Sequence, residues 1–503
     1  EAMHLSSHYH GWNLRLATLG EESWTSKAWP GIVRIPRRAF RLGETAATLI
    51  LEAIDSPDFF EPRRIQIPNA EISSGSRVEV PGKAESQAPF TVYSSSLMVR
   101  AEPGKAKRPL RVAMLEGSAL EATYLLLGDF ARRTSMETEI DAYNYENIYG
   151  AISEGGYDVV QIDIPWLGEL VEAGRLENLD RRIGGDPRAI SHFVPGVLDT
   201  WGRRNGSIWA LPYVFGSQLL FYRKDLFEDS TTKRRFHQRY GIGLATPRTW
   251  KEFNVIARFF TRSINPDSPV AWGTTLGASD FSAAVNEYLP RKWSYEEGSG
   301  IAEGLSSYGS VRALENYVES FRYAPPGSVD NSWDEQLLQF SKGETAMMIL
   351  YMAHATNLTN RAKSSVVGRV GCEIVPGQTP VQGGWSLGID SGSDMKEAAF
   401  EFIRWITCEE LAIPHTLLGG ATSSVNLYRS SELLTVYPWL PKALESFPLS
   451  RQRIVPRTAQ GQVISEREYE KILGRAVHRA AEGAMTALEA LQEAEDELGR
   501  LLR

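Results

Sequence analysis

From Leu110 onward the chain alternates between short apolar strands and amphipathic helices, and this pattern constrains the fold more than any other feature. LRVAML (110–115) reads as a strand, Glu116-Gly117-Ser118 as the turn at its carboxyl end, and about Ala119 to Arg133 as a helix. YDVVQI (157–162) is an uninterrupted apolar strand of the kind buried in parallel sheets, followed by Asp163-Ile164-Pro165-Trp166 and a helix through Ala173. Trp209–Pro212 and Gln218–Tyr222 are expected to bracket a short loop. Alternation of this kind predicts an α/β fold with a parallel sheet covered on both faces. Ligands of such sheets sit in loops beyond the carboxyl ends of the strands, where Glu116–Ser118 and Asp163–Trp166 fall.

Helix boundaries are marked by Thr249–Glu252, Ser465–Glu468 and Thr486–Glu489, each with a capping-box spacing, and Gly483 is expected to interrupt the last helical region. Trp250 and Trp405 fall on helices and are expected in the core. A different pattern precedes Leu110. Residues 1–80 read as a small α/β piece, with strands at LRLATL (14–19) and GIVRI (31–35), a helix at 42–54, and strands at 63–68 and 77–80. Residues 81–109, rich in Pro, Gly, Ser and Lys, read as a linker.

The 503 residues carry 54 Lys plus Arg against 62 Asp plus Glu, a formal charge of −8 that argues against a chain-wide nucleic-acid footprint. The basic run KAKRP (105–109) is expected to be solvated. Cys372 and Cys408 are too few for a disulfide framework and are expected as buried structural thiols. The longest apolar run, TAMMILYMAHA (345–355), is far short of the about 20 residues that cross a bilayer. No secretory signal is visible at the start, although a cleaved one would leave the same sequence. Walker, GxGxxG, HExxH and GxSxG motifs are absent. His4, His8 and His10 could hold a metal only if the start of the chain is helical, and neither a metal nor a cofactor is expected. The 13 Trp and 19 Tyr are many; aromatic rings build cores, and they also stack on sugar rings.

Several segments in order resemble family 1 extracellular solute-binding proteins, the maltose-binding-like group: YDVVQIDIPWLGELVEAGRLENLD (157–180), GSIWALPYVFGSQLLFYRKDLF (206–227), TPRTWKEF (246–253), FSKGETAMMI (340–349) and GGWSLGID (383–390). The resemblance covers 110–503. It implies a two-lobe, periplasmic-binding-protein-like (type II) fold that closes by a hinge on a carbohydrate, with the chain crossing between lobes near 213–222. By position it implies ligand contacts at Glu116, Gly117, Ser118, Asp163, Trp166, Tyr213, Phe215, Gln218, Tyr351, Gly383, Gly384 and Trp385. Residues 421–425 (ATSSV) lack the Pro and Arg common there in the family. On the residues alone, Asp163 could instead cap the next helix, Trp166 could pack on its own helix, and Gly383-Gly384 could be a plain turn. Glu116 and Asp163 could also be imagined as a glycosidase pair, though carboxylates beside aromatics serve binding equally well.

AWPGIVRIPRRAFRLGETAATLILEAI (28–54) and EPRRIQIPNAEISSGSRV (61–78) resemble the C-terminal end of the effector-binding domain in LacI-type regulators, which contributes there to dimerisation. Together the two resemblances lead to the expectation of a non-enzymatic carbohydrate binder acting as the cytoplasmic sensor of a transcriptional regulator. A homodimer, and DNA contacted through a module outside this chain, would be its partners. The alternatives are the periplasmic or extracellular, membrane-associated receptor of an ABC sugar transporter, handing its ligand to a permease, and a glycoside hydrolase.

Overall fold

A computed structural model describes residues 17–19, 33–35, 108–184, 186–279, 282–296, 304–453 and 464–503. Strands β1 (Ala17–Leu19) and β2 (Val33–Ile35) pair in parallel, within the two segments expected to be strands. The helix at 42–54, the strands at 63–68 and 77–80, most of the linker and the three N-terminal histidines lie outside the described residues, and with them most of the LacI-like segment.

The main body is two α/β lobes built on one mixed sheet. In the first lobe β3 (Leu110–Leu115) lies between β4 (Thr138–Tyr143) and β5 (Val159–Asp163), all parallel. β4 was not expected from sequence. As an edge strand it buries little, so it lacks the apolar run that marks β5, whose five residues are all buried. Helices α1 (Ser118–Thr134) and α2 (Tyr145–Glu154) follow β3 and β4. A two-residue hairpin pair, β6 (Arg203–Arg204) and β7 (Ser207–Ile208), leads into β8 (Ala210–Arg223).

The expected loop between Pro212 and Gln218 does not exist, because β8 runs unbroken for 14 residues. Gly216 and Ser217 look like a break in sequence. Gly216 is in fact required by its neighbour: a Cβ there would lie 2.9 Å from the carbonyl oxygen of Gly383 on the adjacent strand. The first half of β8 pairs antiparallel with β12 (Gln382–Ile389), which in turn pairs antiparallel with β5 of the first lobe. The second half pairs antiparallel with β10 (Thr345–Tyr351) and β11 (Val370–Ile374), and β9 (Trp272–Thr274) lies beyond β10. The sheet is therefore mixed rather than all parallel, since the strands that cross between lobes run against those on either side.

The second lobe carries a helical layer of α3 (Ser282–Glu296), α4 (Tyr308–Ser320), α5 (Glu466–Ala481) and α6 (Ala487–Leu501), packed around Tyr288, Leu314, Tyr317, Leu473, Val477 and Leu491. Gly483, at φ +77°, separates α5 from α6, and Thr486–Glu489 forms the expected reciprocal cap. Ser465 does not cap α5 with its side chain, and Thr249 receives Glu252 N while Glu252 turns to Arg248 N. Cys372 and Cys408 are free thiols, and burial pushes both up to about 12. Among the described residues no helix is long and apolar enough to cross a membrane, and no group of three or more His, Cys, Asp or Glu could hold a metal ion.

Trp250 and Trp405 are both buried. Trp405 packs on Phe130 and Phe402, with ring centroids 5.1 and 5.7 Å away, and donates Nε1–H to Asp129 at 3.1 Å. Trp405→Ala should destabilise the protein by about 3–5 kcal/mol through the cavity it leaves. A thermal midpoint that stays at the wild-type value would refute this.

Candidate functional site

The ends of β3, β5 and β10, the first half of β12 and the middle of β8 converge on a cleft of about 650 Å³ between the lobes. Its size lies within the range of small-molecule sites. Glu116, Gly117 and Ser118 line one wall, where Gly117 adopts φ +139° and α1 begins. The first turn of α1 is held in place from behind: the Ala119 carbonyl accepts from the hydroxyls of Thr123 and Tyr213, at 3.0 and 2.9 Å, and lies 3.2 Å from His415 Nε2. Burial lowers His415 to about 4, so its imidazole is neutral at pH 7.

Gly383, Gly384 and Trp385 line the wall formed by β12. A Cβ on Gly383 would fall 2.3 Å from the Tyr351 ring, and one on Gly384 would fall 2.4 Å from the Trp201 ring. The two glycines therefore admit aromatic rings onto the strand and do not form a turn. A register shift between Trp385 and Ser386 leaves Trp385 half-buried at the cleft, its ring edge-to-face with Trp166 and Tyr145 at 5.5 and 6.0 Å. Tyr351, also on the wall, donates its hydroxyl to Asn286 Oδ1 at 2.7 Å.

The remaining positions implied by the resemblance stand behind the cleft wall. Trp166 is fully buried. Tyr213 faces Thr123 and His415, and Phe215 packs among Trp201, Tyr428 and Phe447. Gln218 braces the crossing, with Nε2 donating to the Asn286 carbonyl at 2.9 Å and Oε1 accepting from Val381 N at 3.0 Å.

Asp163 lines the cleft and makes no side-chain cap to the helical turn that follows. Its carboxylate accepts instead from Arg453 Nη2 at 2.6 Å. Arg453 Nη1 donates to Glu470 at 2.6 Å and lies 3.5 Å from Glu466. Trp166 donates Nε1–H to the other oxygen of Glu466 at 3.1 Å, Ser282 donates to Glu470 at 3.1 Å, and the Tyr145 hydroxyl lies 3.2 Å from Asp163 and 3.3 Å from Glu470. All four charged side chains are buried, with Arg453 only 6% exposed. Burial raises Asp163 and pushes Glu466 up to about 8, in both cases against the pull of Arg453. Burial also works against the Arg453 charge, but Asp163 and Glu466 outweigh it and hold the guanidinium well above its ordinary value.

Arg453, Tyr145, Trp333 and Asn286 line the cleft and were not expected from sequence. Trp333 meets Tyr145 and Tyr351 edge-on, at 5.9 and 6.3 Å. Arg453 lies in an irregular segment about 290 residues from Asp163, a pairing with no local signal. Four exposed acids, Glu116, Glu121, Glu146 and Asp334, and one lysine, Lys363, sit at the rim.

The family model described as bacterial extracellular solute-binding protein matches residues 138–412. A probable amino-acid ABC transporter periplasmic-binding protein of Sinorhizobium fredii is 24% identical over 67% of this chain and 77% of its own length. The mannitol-binding protein of Pseudomonas aeruginosa is 25% identical over 44% of this chain, which spans only half of that relative. Among solved structures, an Agrobacterium radiobacter ABC transporter solute-binding protein in complex with ribitol aligns at TM-score 0.67 with 23% identity, covering 78% of this chain and 98% of its own. Maltose-bound MalE3 of T. maritima aligns at 0.65 with 24% identity, over 78% and 100%. These likenesses establish the two-lobe binding-protein fold. They overturn the expected reading as the cytoplasmic sensor of a transcriptional regulator: the matching family is extracellular by description, and the relatives are binding proteins, two of them of ABC transporters by name. The LacI-like resemblance gained no support, and neither did a DNA partner.

Trp166→Phe should keep the ring packing while leaving a buried Glu466 oxygen without its donor, at a cost of about 1–3 kcal/mol. An unchanged thermal midpoint would show that the Trp166–Glu466 contact carries no energy.

Proposed function

Because the chain belongs to the bacterial extracellular solute-binding protein family, we propose that it is a non-enzymatic receptor for a sugar or polyol, acting outside the cytoplasm and delivering its ligand to a membrane permease of an ABC transporter. The observation that carries the ligand class is the half-buried Trp385 ring at the cleft wall, backed by Tyr145 and Trp166, in a cleft also lined by Tyr351, Asn286, Asp163 and Arg453. A flat apolar face next to fixed amide, carboxylate and guanidinium groups matches a ligand that has apolar C–H faces and many hydroxyls. Glu116, Gly117, Ser118, Asp163, Tyr351, Gly383, Gly384 and Trp385 are the proposed contacts from the original set, joined by Asn286, Trp333 and Arg453. Trp166, Tyr213, Phe215 and Gln218 support these from behind.

The fold family and the names of relatives support this reading: mannitol for one, and ribitol and maltose for two solved complexes. One relative is named for amino acids, which makes an amino acid the second reading. Hydrolysis is not part of the proposal, since the one buried cleft carboxylate of the imagined pair, Asp163, is engaged by Arg453.

Calorimetric titration with D-mannitol, ribitol, maltose and a mixture of amino acids tests the ligand class. Saturable binding of a polyol or sugar is expected. Binding of an amino acid alone, or steady release of glucose from maltose, would overturn the proposal. Trp385→Ala should weaken binding at least tenfold and leave the thermal midpoint of the protein without added ligand nearly unchanged. An equal loss of stability would make Trp385 a packing residue.

A further inference from the structure

The buried charge cluster joins the two lobes. Asp163, Tyr145 and Trp166 belong to the first lobe, while Glu466 and Glu470 stand on the first turns of α5, in the helical layer of the second. Arg453 grips Asp163 with one nitrogen and Glu470 with the other. The same turn of α5 makes two further contacts across the gap: Trp166 donates to Glu466, and Arg467 donates to the Tyr145 carbonyl at 3.1 Å while covering the rings of Tyr145 and Tyr149.

We propose that Arg453 and Glu466 are positioning residues for the cleft, forming a clasp that draws the lobes together and closes with the uptake of one proton. Charge balance carries the inference. Three carboxylates surround one guanidinium, all four side chains almost wholly buried, which leaves two negative charges unmatched if every carboxyl is ionised. The groups facing Glu466 are Arg453, Glu470 and Asp163, the indole of Trp166, and, within electrostatic reach, the neutral phenols of Tyr145, Tyr351 and Tyr469. Among the described residues none of these groups adds a second positive charge, and Arg467 on the same turn is turned to the Tyr145 carbonyl. Glu466 lies farthest from the guanidinium and has an oxygen with no hydrogen-bond partner, so it is the place for the proton.

The direction of the pH effect follows. In the clasp the Glu466 carboxyl is held up to about 8, against 4.5 for the ordinary group, and opening returns it to water. Closure is therefore strongest below the ordinary value, weakens as pH rises, and reaches its minimum above about 8. One proton changes the closing equilibrium by up to about tenfold per pH unit in that window.

The test does not depend on the ligand and so is separable from the carbohydrate reading. Spin labels on exposed positions of the two lobes, E154C and R312C, in a full-length chain carrying C372S and C408S, report the interlobe distance. The wild-type chain is expected to show a single short distance at pH 6 and a growing longer population at pH 9. E466Q, which mimics the protonated carboxyl and keeps an acceptor for Trp166, is expected to hold the short distance at both. A distance unchanged by pH in the wild-type chain overturns the proposal, as does the same pH response in E466Q. If E466Q does not accumulate folded, the wild-type pH series decides alone.

Discussion

Everything at the cleft depends on one antiparallel pairing, that of β8 with β12. The first residues of β8 are part of the first lobe's sheet and the last are part of the second's, so the two lobes share a backbone instead of merely touching. The pairing is tight because Gly216 and Gly383 face each other with no room for a side chain on Gly216. Backbone hydrogen bonds supply the stiffness along the strand. The relative position of the lobes is left to side-chain contacts that can form and break on either side of it.

The aromatic surplus divides between two tasks. Trp201, Trp250 and Trp405 are fully buried and fill cores. A smaller set, Tyr145, Trp333, Tyr351 and Trp385, is connected ring edge to ring face along the cleft. Such contacts fix ring orientation, so a ligand meets surfaces that are already placed.

Much of this was legible in the sequence, for identifiable reasons. Strand β3 and helix α1 were read almost to the residue because their periodicities are clean, and the Thr486 cap because it is local. Glu116 could be named because it follows a strand end where strand order puts it, and Trp385 because GGWSLGID resembles a segment of the family. Four of the implied positions stand behind the cleft wall, and one cause covers them all. Trp166, Tyr213, Phe215 and Gln218 sit among buried or half-buried neighbours, β8 having no exposed residue, so no polar–apolar alternation marks which side faces the cleft. The unbroken β8 was mistaken for two strands because Gly216-Ser217 carries the composition of a turn while serving a close backbone approach. Arg453 was illegible: its partners are about 290 and 17 residues away, and neither spacing leaves a local pattern.

The Ala119 carbonyl, buttressed by Thr123, Tyr213 and His415, has a kinetic meaning. Tyr213 is on the crossing strand and His415 is buried, so the opening turn of α1 is nailed to the hinge itself. The backbone amides at Gly117–Ala119 have then already surrendered their freedom before any solute arrives. A receptor built this way loses little entropy in docking. Its selectivity must reside in how long a solute stays, and the encounter rate should be nearly the same for a good ligand and a poor one.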